Sequence, residues 1–227
     1  MGGVNTPRIL RTLGVALALT WLLQSTVATS SPAAAEPCPD VQVLFARGTD
    51  EAPGLGETGQ SFVSALRSRL PERSVDVYPI NYPASNDWPT GVQGIRDAAD
   101  HIQTTASACP KTKMVLSGFS QGAAVMGFTT AAVIPDGVDG TDVPPPMPPE
   151  VADHVAAVVL FGTPNERAMN FLGQPAVAIG PGYTGKTIQL CAPEDPVCSE
   201  GMNFSAHTPE AYDGITDEGA AYAANRV

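Results

Sequence analysis

Apolar and polar positions along this chain follow two alternating patterns. Short runs that are apolar at nearly every position are separated by longer stretches in which apolar residues recur at helical spacing. Val41-Gln42-Val43-Leu44-Phe45-Ala46 is the first short run and reads as a strand. From about Glu57 to Leu70, the residues Phe62, Val63, Leu66 and Leu70 fall on one face of a helix. Val75 to Ile80 reads as a second strand, interrupted by Pro79. A helix is predicted from about Val92 to Ala108. A third strand then runs into Gly118-Phe119-Ser120-Gln121-Gly122, and Ala123 to Phe128 continues as helix. Val155 to Phe161 is the most apolar strand, Thr187 to Leu190 a shorter fifth, and a last helix is expected over about Asp217 to Asn225. Strands alternating with helices predict an α/β fold on a parallel sheet. No repeat or internal domain boundary is visible.

The first 35 residues stand outside this pattern. Arg8 and Arg11 give a basic start, Leu13 to Leu23 an apolar stretch too short to span a bilayer comfortably, and Ala33-Ala34-Ala35 a small-residue cleavage site before Glu36. Residues 1–35 therefore read as an export signal and residues 36–227 as one domain, large enough for a substantial core. The signal holds two of the 12 basic residues and none of the 23 acidic ones, so the domain is more acidic than the whole chain at −11. Such a surface repels phosphate backbones and anionic membranes, which argues against nucleic-acid partners. Its plain reading is solubility outside the cell. No later segment is apolar for long enough to insert stably in a membrane, and a monomer is expected.

Four cysteines, Cys38, Cys109, Cys191 and Cys198, all lie in the exported part. An even number in an oxidising compartment predicts two disulfides. Of three possible pairings, the simplest joins Cys191 to Cys198 and leaves Cys38 for Cys109. Metal binding is a poor alternative, because there is no Cys-x-x-Cys and the three histidines are scattered.

Gly-x-Ser-x-Gly occurs by chance often enough that its setting must decide. Here it joins a strand to a helix, the context in which a sharp turn lifts a serine hydroxyl above a sheet. Ser120 is then the candidate nucleophile, and it needs a base, an acid to orient that base, and donors for an oxyanion. His101 falls in a helix and His154 starts a strand at the end of the sheet remote from the turn. His207 follows the last strand, on the catalytic face, in the chain order serine, acid, histidine. Glu194, Asp195 and Glu200 are the acid candidates. Asp195 is preferred because two prolines and a Cys191–Cys198 bridge would fix its direction. Oxyanion donors are expected from the N–H of Gln121 and from Thr49, in the loop after the first strand.

Together these residues resemble the cutinase family of α/β-hydrolases. The Gly-Tyr-Ser-Gln-Gly elbow of that family is matched with Phe119 in place of tyrosine. Ala46-Arg47-Gly48-Thr49 matches its Ala-Arg-Gly-Ser/Thr loop, and Cys191 to Cys198 its Cys-x-x-x-Asp-x-x-Cys acid loop. One departure follows the histidine, where Thr208-Pro209 replaces the more usual Leu-x-Tyr. Signal and composition are most similar to secreted cutinase-like proteins of actinobacteria, mycobacteria in particular. The resemblance implies Ser120, His207 and Asp195 as a catalytic triad, Thr49 and Gln121 as the oxyanion hole, and disulfides Cys38–Cys109 and Cys191–Cys198. It also implies a five-stranded parallel sheet flanked by helices, no true lid and no cofactor.

The expected activity is hydrolysis of carboxylic esters through an acyl-serine, on short- or medium-chain esters, lipids or cutin. Tyr82, Trp88, Phe171, Leu172, Ile179 and Phe204 are the apolar residues expected at the substrate rim. Two other outcomes fit the same sequence: acyl transfer to an alcohol, or a non-catalytic lipid-binding surface protein on a hydrolase scaffold. The run Pro144-Pro145-Pro146-Met147-Pro148-Pro149 reads as a surface excursion of polyproline character, away from Ser120.

Overall fold

The computed structural model describes residues 1–4, 37–136 and 138–227. Most of the export-signal reading, on residues 1–35, lies outside the described residues. Residues 37–227 form one compact unit.

Five parallel strands make the sheet, in the order β2-β1-β3-β4-β5. β1 (Val41–Ala46), β3 (Lys113–Phe119) and β4 (Val155–Phe161) are central and almost entirely buried. Burial on both faces is why they read as continuous apolar runs. β2 (Val75–Pro79) and β5 (Thr187–Leu190) are the half-exposed edges, and Pro79 ends β2 where an edge tolerates it.

Alternation along each strand splits the core in two. Leu44, Leu116, Val158 and Leu160 face one side, against Ala98 and Ile102 of α2 (Gly91–Ala108) and Met126 of α3 (Gln121–Thr130). Val43, Phe45, Val115 and Phe161 face the other, against Phe62 and Leu66 of α1 (Gly56–Arg69) and Ala220 and Ala223 of α6 (Pro209–Ala224). α1 and α6 lie side by side, joined by Ser61 Oγ to Asp213 Oδ1 at 3.1 Å and Arg69 to Asp217 at 2.7 Å.

α6 starts eight residues before the expected Asp217. Pro209 fits the first turn, where its missing N–H costs nothing, and Glu210 suits the positive end of the helix. Gly214 and Asp213 disguised this turn in the sequence, while burial of Tyr212 and Thr216 holds it in place. Two short helices also escaped the periodicity. α4 (Glu166–Phe171) is capped by Asn165, whose side chain accepts from Ala168 N at 2.9 Å, and α5 (Pro181–Thr184) is a single turn.

Cys38–Cys109 ties the start of β1 to the end of α2, and Cys191–Cys198 closes the loop after β5. Among the described residues, no helix is long and apolar enough to cross a membrane.

Candidate active site

The site is built where β3 meets α3. Ser120 occupies a turn with φ 54° and ψ −119°, a conformation that costs a non-glycine residue of order 1–3 kcal/mol. Its neighbours enforce it. A Cβ on Gly118 would lie 2.4 Å from Gly122 O, and one on Gly122 only 2.0 Å from Ala46 O. Only glycines let β1, β3 and α3 converge this closely. Ser120 N donates to Phe161 O at 2.9 Å, anchoring the turn to the end of β4.

His207 sits between β5 and α6. Its Nε2 is 2.8 Å from Ser120 Oγ, and its Nδ1 is 2.7 Å from Asp195 Oδ2. Asp195 is fully buried, its other oxygen accepting from Val197 N at 2.8 Å. The loop around it is tightly tied. Ser199 N and Oγ both donate to Asp195 O, at 2.9 and 2.6 Å, and Asn203 N donates to Glu194 O at 3.0 Å. Of the other acid candidates, Glu194 is exposed and Glu200 pairs with Arg167 at 3.2 Å. Asp195 and the sulfurs of Cys191 and Cys198 lie within 4.8 Å of one another. Those sulfurs are bonded together, so they shape the loop and offer no thiolate to a metal.

Tyr212 is the participant that sequence reasoning missed. Its hydroxyl donates to Asp195 Oδ2 at 2.6 Å and accepts from Ala192 N at 3.3 Å. Burial, and then the bond to Asp195, push its pKa far above the ordinary phenol value, so it remains a donor. A signal is present in the sequence, since Tyr212 stands five positions after His207. Phe119 completes the packing, stacked on His207 at 5.2 Å and edge-on to Tyr212 at 5.1 Å.

On the other side of Ser120, the loop after β1 runs against the start of α3. Arg47 is buried there without a carboxylate partner among the described residues. Its Nε donates to Glu51 O at 2.8 Å and its Nη2 to Tyr82 O at 2.8 Å. The Glu51 carboxylate accepts from Gly48 N at 2.6 Å and Glu57 N at 2.9 Å. Thr49 is half-exposed in this braced loop. The N–H of Gln121 opens α3, where the preceding turn provides no helical acceptor. The Gln121 side chain donates to Ser85 O at 2.9 Å, tying the elbow to the loop after β2.

The expected rim residues divide. Trp88 lines a cleft of about 780 Å³ that reaches Gln121. Phe171 and Phe204 are 90% and 73% exposed, and Leu172 is half-buried. Ile179 packs toward the core beside Gly127. Tyr82 is a correction: it is buried, its hydroxyl donates to Arg47 O, and its ring lies 5.2 Å from the Arg47 guanidinium. It packs in the core and braces the loop from within. The proline run is also more than a detached excursion, because Pro144 to Pro146 line the far part of the same cleft and Arg96 bonds Asp142 O at 2.9 Å.

The remaining histidines are elsewhere. His101, on α2, stacks on Tyr78 at 3.5 Å and bonds Gln42 Oε1 at 3.1 Å, and His154 immediately precedes β4.

A sequence profile of the family described as Cutinase matches residues 37–227. A protein named probable carboxylesterase Culp5, from Mycobacterium tuberculosis, is 56% identical over 172 residues, covering 76% of this chain and 98% of that protein. Carboxylesterase Culp1 of the same organism is 46% identical over 226 residues, covering 98% of each. Among solved structures, a Trichoderma reesei cutinase in complex with a C11Y4 phosphonate inhibitor superposes with a TM-score of 0.62. It is 31% identical, with 83% of this chain and 77% of that chain covered.

Proposed function

The chain belongs to the cutinase family and is a carboxylic ester hydrolase, and we propose that it works outside the cell through Ser120, His207 and Asp195. The observation that carries this reading is the unbroken line from Ser120 Oγ to His207 Nε2 at 2.8 Å and from Nδ1 to buried Asp195 at 2.7 Å.

In the proposed reaction His207 takes the Ser120 proton as Oγ attacks the ester carbonyl carbon. The negative oxygen that forms is held by the N–H of Gln121 and by Thr49, donors that act where charge develops. Asp195 keeps Nδ1 protonated and stabilises the imidazolium. His207 then protonates the departing alcohol, leaving an acyl-Ser120. Water, deprotonated by the same histidine, attacks that ester. The acid is released, and the proton returns to Ser120. Export rests on the character of residues 1–35 together with two disulfides, which persist in oxidising compartments. The proposed substrates are acyl esters and lipids, met by a monomer without nucleic-acid partners.

A fluorophosphonate probe tests the nucleophile. Wild type labels and Ser120→Ala does not. If wild type fails to label, the assignment is wrong. Adding an acceptor alcohol to the assay separates hydrolysis from acyl transfer, which would appear as a new ester at the expense of free acid.

A further inference from the structure

α4 follows β4 and lies against the acid loop, anchored by Met169, which is fully buried. Asn165, the cap of this helix, and Arg167, in its first turn, direct their donors to carbonyls of that loop. Asn165 N donates to Val197 O at 2.8 Å, and its Nδ2 to Ser199 O at 3.0 Å. Arg167 Nη2 donates to Pro196 O at 3.0 Å and to Ser199 O at 3.1 Å. Cys191–Cys198 ties the same turn back to the end of β5, so α4 is a second anchor.

One of these bonds reaches the catalytic carboxylate. Pro196 O and Val197 N are the two ends of a single planar peptide group. Arg167 grips the carbonyl end at 3.0 Å, while the N–H end donates to Asp195 Oδ1 at 2.8 Å. Rotating that peptide breaks both bonds together, so the guanidinium fixes the direction of the N–H. Hydrogen bonds in such a chain also polarise one another, which strengthens the one on the carboxylate. Pro196 is buried, and its carbonyl meets no other donor among the described residues. The ion pair with Glu200 at 3.2 Å matters less. Its two side chains are 49% and 91% exposed, where water screens most of the attraction.

We propose that Arg167 is a positioning residue for ester hydrolysis, holding Asp195 against His207 through the Pro196–Val197 peptide. This deepens the reading of Ser120, His207 and Asp195 as a triad and rests on it. Asp195 Oδ2 meets His207 and Tyr212, and it can turn away only as Oδ1 leaves Val197 N. Loss of the grip on Pro196 O therefore loosens the base.

The test compares Arg167→Ala, Arg167→Lys and Glu200→Gln with wild type on p-nitrophenyl butyrate, using the full chain. Arg167→Ala should lower kcat by about fivefold to tenfold with KM within about twofold, because orientation of the base counts in the transition state. Arg167→Lys should recover part of kcat, since an ammonium can meet one carbonyl but lacks the planar fork that meets two. Glu200→Gln should leave kcat within about twofold of wild type. A second measurement needs no turnover. The His207 Nδ1–H proton, deshielded by Asp195, should broaden or move upfield by NMR in Arg167→Ala and not in Glu200→Gln. A role in stability alone would lower the urea midpoint of Arg167→Ala and leave kcat and this resonance as in wild type, which overturns the proposal. So does a Glu200→Gln loss equal to that of Arg167→Ala, which would assign the effect to the surface pair. Fluorophosphonate labelling separates the failures. If wild type labels, an unchanged kcat in Arg167→Ala removes the positioning role and leaves the triad standing. If wild type does not label, both readings fall.

Discussion

Tyr212 donates its hydroxyl to the same oxygen of Asp195 that meets His207, at 2.6 Å beside the 2.7 Å contact from Nδ1. Two donors on one oxygen, with Val197 N on the other, leave the carboxylate a single orientation. The phenol is itself fixed by Ala192 N and by the edge of Phe119.

Tyr212→Phe removes that donor and keeps the ring. We expect kcat to fall by about tenfold, or ~1.4 kcal/mol, with little change in KM, because orientation of the base is loosened and the substrate surface is not. Stability should fall by about 1–3 kcal/mol, since Ala192 N loses its buried partner. Steady-state kinetics and urea unfolding check both. An unchanged kcat would assign Tyr212 to packing alone.

Gly122→Ala is expected to be among the most damaging single-methyl changes. The new Cβ would meet Ala46 O at 2.0 Å and Arg47 O at 2.5 Å, both backbone atoms at the end of a central strand. Overpacking of this kind costs about 3 kcal/mol, which lowers the melting temperature of a domain this size by about 6–12 °C. Activity should fall further than stability explains, because α3 carries the Gln121 N–H with it. A melting temperature within a degree of wild type would contradict the close approach.

Reduction of Cys191–Cys198 should impair turnover before it unfolds the domain. The bridge closes a seven-residue separation around Asp195, so its loss frees the acid loop first, while the sheet retains both core layers. The chain-entropy contribution of so short a loop is only about 2–3 kcal/mol. Activity and far-ultraviolet circular dichroism, followed together during reductant titration, should separate. Full activity after the bridge is shown to be open would refute the link.

His101 gives a pH dependence to stability that is separate from catalysis. Burial lowers its pKa, only partly opposed by Asp97 and Asp76, so the folded state favours neutral imidazole. A depressed folded value means the unfolded chain binds the proton first. The contribution is therefore complete above the unfolded value near 6.5 and declines as pH falls through the lowered folded value. His101→Gln should lower stability more at pH 8 than at pH 5, judged by urea midpoints against wild type. Equal losses at the two pH values would show that proton linkage is not involved.

What the sequence determined by itself were the features written in local periodicity and in residue chemistry. β1 and β4 begin and end where the apolar runs do, because strands buried on both faces admit almost no polar residue, and the half-exposed edge β5 also keeps the bounds of its run. Gly118 to Gly122, the acid loop and His207 were legible because strained turns and paired cysteines leave few alternative residue types. Where burial competes with propensity, the sequence misled. The first turns of α6 carry Asp213 and Gly214 yet are held helical by Tyr212, and Tyr82, with its apolar ring and polar tip, looked like a rim residue and is core.

Only tertiary structure decided which groups share a space. The contacts of Tyr212 with Asp195 and of Phe119 with His207 join residues 17 and 88 positions apart, and no local pattern encodes such pairs. The same holds for the cleft that reaches Gln121, whose lining comes from α2, α3, the segment after α3 and Met169 of α4. Periodicity tells a side chain whether to be inside, whereas its neighbours are set by how sheet and helices close around it.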